Sequence, residues 1–144
     1  MNRQGRDAAH AAPDRATFSL IQGNIAMSKI IRTEPNSILS AAVEYHGFVY
    51  LQGVVAEDST QDITGQTRQV LDRIDALLEQ HGTDATRLLQ AQVWLKNLAD
   101  RPGFNAVWEE WIARHGGHPP VRACVQAELV DPKGLVEVMV TACR

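Results

Sequence analysis

Hydrophobic residues recur with two different periods along this chain. After Asp62, the residues Ile63, Val70, Leu71, Ile74, Leu77 and Leu78 fall on one face at about 100° per residue, which predicts an amphipathic helix. Asp62 is an acidic start, and Gly82, following His81, is placed to cap the far end. A second stripe of Phe104, Val107, Trp108, Trp111 and Ile112 predicts another helix, opened by Asp100 and Pro102 and closed by Gly116 and Gly117. Elsewhere the period is two. "SKIIRT" is a short first strand. Ala41 to Tyr45 and Phe48 to Gln52 form a hairpin about His46-Gly47, where glycine takes the positive φ of a tight turn, and Gly53 stops the second arm. Leu88 to Leu95 alternates as a strand. Two more strands, Val121 to Leu129 and Leu135 to Cys143, are joined by "VDPKG", which has turn composition.

The order is therefore β-β-β-α-β-α-β-β, an α+β chain whose two helices can cover one face of a sheet. The last two strands show how the faces divide. Ala123, Val125 and Ala127 alternate with Arg122, Cys124 and Gln126, while Val136, Val138 and Val140 alternate with Leu135, Glu137 and Met139. The valine face is expected beneath the helices. Open solvent would leave Leu135 and Met139 exposed, whereas a dry core would strand Arg122 and Glu137. A subunit interface with partly buried pockets accommodates both; a solvated sheet face is the plainer alternative. If the two strands pair as a hairpin turning at Asp131 to Lys133, Arg122 lies opposite about Ala142. Glu137 is then about 16 Å further along the strand. No small molecule spans that distance, so any site that uses both residues would join Arg122 of one subunit to Glu137 of a neighbour.

Composition narrows the class. The 144 residues suit one domain, with 14 Lys plus Arg against 17 Asp plus Glu and a formal net charge of -3. No basic run marks a nucleic-acid partner, and no apolar stretch is long enough for a membrane span. Two cysteines, Cys124 and Cys143, without a CxxC pair, point to a reduced, cytoplasmic chain. Residues 1 to 26 are polar and aperiodic, without a secretory signal core, and are expected to be a mobile tail or a misassigned start, rather than a functional arm, ahead of a domain from Met27 to Arg144. His115-x-x-His118 has metal spacing only along a continuous helix, which Gly116-Gly117 interrupts, so no metal is expected. Phosphate-loop and nucleophile-elbow motifs are absent from the sequence, and two of the three tryptophans belong to a helix stripe rather than to a stacking platform.

"PPVRACVQAEL", the downstream "LVEVMV", "FNAVWEEWI", "YHGFVYLQG" and "DITGQTRQVLDRIDALLEQHG" together resemble the RidA/YjgF family of imine/enamine deaminases, nearest its YoaB-like branch. The resemblance covers about Met27 to Arg144. It implies a chorismate-mutase-like α+β fold with a six-stranded mixed sheet, two helices on one face, and a homotrimer with ligand clefts between subunits. Residue by residue, it assigns the carboxylate-holding arginine to Arg122, a backbone contact to Cys124, the last-strand glutamate to Glu137, the helix asparagine to Asn105 and the glycine after the third strand to Gly53. Two pocket positions depart from the RidA pattern: Leu39 stands for a tyrosine, and Gln52 for a serine.

The implied reaction is hydrolysis of 2-imino or 2-enamino acids to 2-keto acids and ammonia, without a cofactor. A guanidinium can grip the carboxylate through paired bonds, and a carboxyl group can shuttle the proton. Arg122 fits the first role and Glu137 the second, with Gly53, Gln52, Cys124 and Asn105 around the substrate. Structural roles remain open beside these. Arg122 and Glu137 could pair across the interface, Asn105 could cap the helix or brace a strand, and Cys124 could be a small core residue. Leu39 and Gln52 favour a second reading, a non-catalytic binder or sensor of keto acids on the same trimer. Ribonuclease activity or translation inhibition, also attached to the family, finds no basic surface here.

Overall fold

The computed structural model describes residues 29–144. The tail expected over 1–26 and the first residue of "SKIIRT" lie outside the described residues. Seven strands and two helices follow in chain order: β1 (Ile31–Thr33), β2 (Ala42–Tyr45), β3 (Phe48–Leu51), β4 (Val54–Val55), α1 (Ile63–Gln80), β5 (Leu88–Leu95), α2 (Arg101–Arg114), β6 (Val121–Gln126) and β7 (Val136–Cys143).

They form one mixed sheet in the order β1-β2-β3-β7-β5-β6, with β4 also paired to β7. β5 and β6 run parallel, whereas β7 is antiparallel to its partners β3, β4 and β5. The predicted first hairpin is present. His46 and Gly47 both have positive φ, 51° and 79°, the backbone that matches a two-residue turn to strand twist. β4 was missed because Gly53 hides a bulge rather than an end. Tyr50 pairs with Thr141 and Val54 with Val138, so four residue steps on one strand face three on the other. The extra residue falls around Gln52-Gly53 and bends the strand there.

The expected pairing of the last two strands is corrected. β6 and β7 are not neighbours, because β5 lies between them. The connection over 127–135 instead crosses the end of β5, where Leu95 O accepts from Ala127 N and Lys96 N donates to Leu135 O, both at 3.0 Å. Gln66 secures the crossing. This glutamine is fully buried at the start of α1, and its Nε2 donates to the carbonyls of Ser59, Gln61 and Lys133. Its Oε1 accepts from Leu135 N at 2.8 Å. A turn motif inside a nine-residue connection says where the chain bends, not which strand it rejoins.

Both helices pack on one face. Val70, Leu71, Ile74, Leu77, Phe104 and Trp111 meet Val49, Ala91, Val93, Val136, Val138 and Val140, all nearly inaccessible. The Trp111 indole N–H reaches the Asp75 carboxylate of α1 at 3.0 and 3.1 Å, and burial pushes that carboxyl up from its ordinary range. At the far end of α1, His81 Nδ1 lies 3.0 Å from Glu44 Oε2 and its Nε2 lies 3.0 Å from Thr33 Oγ1. Arg144 Nη1 completes the cluster 2.6 Å from Glu44 Oε1.

The opposite face carries no helix among the described residues. Phe48, Tyr50, Val55, Val125 and Met139 stand on it, each more than 40% exposed. They share that face with Thr141, Gln90, Gln92 and Glu137, so large apolar side chains stand among polar ones on a surface without a helix.

Candidate functional site

Arg122 departs from the expected placement, and the departure defines the site. In β6 the residues turned toward the helices are Arg122 and Cys124, and Val125 lies on the bare face, the reverse of the prediction for this strand. Register requires it: Arg122 is level with Ala91 and Val140, and Cys124 with Val93 and Val138, which are core residues. In β7 the prediction holds, with Val136, Val138 and Val140 buried. An arginine can occupy the helix side because β6 is the edge strand and α2 supplies a matching surface. The guanidinium carbon lies 5.2 Å from the Trp108 ring centroid and 5.5 Å from that of Phe104, within cation–π range. Its Nη2 donates to Asn105 Oδ1 at 2.9 Å. Of the two structural roles considered for Asn105, bracing β6 is the one found.

No ion pair neutralises Arg122 among the described residues. A half-buried guanidinium held by two rings and a neutral amide keeps its charge available to an incoming anion. A cavity of about 480 Å³ opens beside it, bounded by Asn105, Trp108, Glu109, Ile112 and Ala113 of α2 and by Gly117, Pro119 and Pro120 of the loop that follows. Cys124, two residues on, is a partly buried free thiol packed against the core. As β6 is an edge strand, its outer row of backbone groups is unpaired by any strand among the described residues.

Glu137 and Gly53 form a second cluster. Glu137 is level with Val55 on one side and Trp94 on the other, on the bare face. Its carboxylate lies over Gly53, where an added Cβ would be 1.9 Å from Oε1. The bulge carries Gln52 and Gly53 to the rim of a separate 490 Å³ cavity walled by Glu57, Gln69 and Asp72. Leu39 sits exposed in the turn before β2, where the Asn36 side chain accepts from its N–H.

The candidate site residues thus fall into two groups, Arg122-Asn105-Cys124 and Glu137-Gly53-Gln52. Within one chain they do not meet. Glu137 is three residues along β7 from the level of Arg122 and two strands away, roughly 14 Å in all, and it points from the other face. The separation deduced for a β6–β7 hairpin rested on the wrong pairing; the separation itself is real. Sequence reasoning missed Glu109, Ala113 and Pro119 as cavity walls. The spacing of Asn105, Glu109 and Ala113, one helical turn apart, was the available signal.

The sequence profile of the family described as Endoribonuclease L-PSP matches residues 29–144. A RutC family protein of Haemophilus ducreyi is 38% identical over 113 residues, covering 78% of this chain and 95% of that one. The chain belongs to the RidA/YjgF family. Its YoaB-like character is visible in a RutC family protein YoaB of Escherichia coli, 34% identical over 78% of this chain and 96% of that one. A YjgF-family crystal structure from Neisseria meningitidis superposes with TM-score 0.76 at 34% identity, covering 81% of this chain and 95% of that chain. RidA/YjgF relatives named for an activity are more distant. A 3-aminoacrylate deaminase RutC of Acinetobacter baylyi is 30% identical over 67% of this chain and 79% of that one. A 2-iminobutanoate/2-iminopropanoate deaminase of Salmonella typhimurium is 28% identical over 82% of this chain and 99% of that one.

Proposed function

We propose that the protein hydrolyses 2-imino or 2-enamino acids to 2-keto acids and ammonia, at sites shared between subunits of a homotrimer. The observation that carries this reading is Arg122, a braced cation with no counter-ion among the described residues, opening on a cavity. The substrate carboxylate takes paired N–H···O bonds from its guanidinium. Water adds to the imine carbon and Glu137 of the adjoining subunit passes its proton to nitrogen, giving the carbinolamine; the hydroxyl proton then follows the same route as the C–N bond breaks, so ammonia leaves and the carbonyl forms. The separation of the two clusters and the exposed apolar side chains on the bare face both call for another copy. The cyclic arrangement brings the β6 edge of one subunit to the Glu137-Gly53 cluster of the next.

Complementation tests it. Arg122→Ala and Glu137→Gln each abolish keto-acid release from an imine generated in situ. Trimers assembled from an equal mixture regain on the order of a quarter of wild-type activity, since one in four interfaces pairs the intact residues. No recovery on mixing, with trimers formed, defeats the shared site. The rival reading, a keto-acid sensor, is favoured by Gln52 and Leu39, which depart from the RidA pattern at the pocket. It predicts tight keto-acid binding through Arg122 with no acceleration of imine hydrolysis.

A further inference from the structure

We infer that the groove beside Arg122 selects ligands by a long apolar side chain, so that the preferred substrates are branched or aromatic 2-imino acids without a second carboxylate. The word imino rests on the proposed deaminase reading; the side-chain preference rests on the groove alone. Three observations carry it. The first is length. Asn105, which fixes the guanidinium, and Ala113 both border the cavity, and eight residues of helix separate them, about 12 Å at ~1.5 Å per residue. A ligand no longer than pyruvate fills only the part nearest Arg122. The second is chemistry. Trp108 and Ile112 form one wall and the Pro119 and Pro120 rings the other, with Ala113 small enough to keep the far part open. Two consecutive prolines fix that wall before a ligand arrives. The third is the sign of the remaining charge. Glu109 borders the groove between Asn105 and Ala113, where it opposes any carboxylate on the side chain itself.

The full-length protein is titrated calorimetrically with pyruvate, 4-methyl-2-oxopentanoate, phenylpyruvate and 2-oxoglutarate, the keto acids matching the possible imines. The two apolar acids bind about tenfold or more tighter than pyruvate, and 2-oxoglutarate binds no better than pyruvate. Ala113→Trp, which plugs the far part from an exposed helix position, erases the difference between long and short acids. Ala113→Leu, a smaller plug, reduces that difference should the tryptophan variant fold poorly. Glu109→Gln strengthens 2-oxoglutarate binding selectively. Pyruvate binding as tightly as the apolar acids, equal weakening of all four by Ala113→Trp, or no binding of any of them overturns the inference. Imine turnover is measured in parallel. Side-chain-dependent binding without turnover defeats the deaminase reading and leaves the groove's preference standing; turnover without that preference does the reverse.

Discussion

Two arginines of this chain are held in opposite ways. Arg144 is matched by a carboxylate: Glu44 accepts from it and from His81, and Thr33 completes a closed circuit of polar groups. Arg122 is held equally firmly, by Asn105 and two aromatic rings, yet none of these carries negative charge. The first arrangement joins β1, β2 and the end of α1. The second leaves a cation oriented and, among the described residues, without a carboxylate partner, an arrangement that an incoming anion would complete. Geometry alone would not separate the two; the charge of the partner does.

The contrast can be broken from either side. The largest effect is expected at Glu44→Ala, which strands a buried imidazole and the guanidinium beside it. Chemical denaturation should show a loss of about 2–4 kcal/mol, with keto-acid affinity per folded molecule unchanged. Arg122→Ala should do the converse, weakening keto-acid binding on the order of 100-fold by loss of a charge-assisted pair while the melting temperature barely moves. Asn105→Asp is the sharper probe, because it gives Arg122 the partner that Arg144 has. A carboxylate 2.9 Å from Nη2 should lower anion affinity about tenfold, with stability equal or higher.

The smallest effect is on pH dependence. Hydrogen bonds from His81 and then Arg144 hold the Glu44 carboxyl below its ordinary value of 4.5. A lowered folded pKa means that this contribution is present above the unfolded value and is lost as pH falls through the folded one. Asp75 works in the other sense. Burial raises its carboxyl, so its contribution is present below the ordinary value of 3.8 and fades as pH rises through the folded value. Glu44→Gln should flatten the acid-side decline in stability by less than about 1.4 kcal/mol per pH unit, the ceiling for one proton. Asp75→Asn should keep that limb and steepen it, because the opposing contribution is removed. Denaturation midpoints between pH 3 and 6 distinguish them.

Much of this was legible in the sequence because it is local. The 3.6 and 2 periods located both helices and most strands, and His46-Gly47 announced its turn, since each depends on neighbouring residues alone. The route of β7 was not legible. It depends on Gln66 and Lys96, which bond to a segment dozens of residues away and carry no periodic signature. The facing of β6 failed for a related reason. Alternation identifies two faces without saying which is covered, and Arg122 looks like an outward residue until Phe104, Trp108 and Asn105 are seen opposite it. The family resemblance named the six candidate site residues. That they divide into two groups, with Arg122 and Glu137 on opposite faces, follows only from the register.

The gap above Gly53 leaves a mark of its own. Glu137's carboxylate rests where a methyl group would otherwise be, and Gly53 has none of the positive φ that would forbid alanine there. The atom displaced first is the tip of a flexible chain, so the backbone has no reason to object. Gly53→Ala should therefore melt like the parent while its acid group is swung aside. Two forms of this scaffold can thus differ by a single CH₂ and by where one carboxylate points, yet share one unfolding curve.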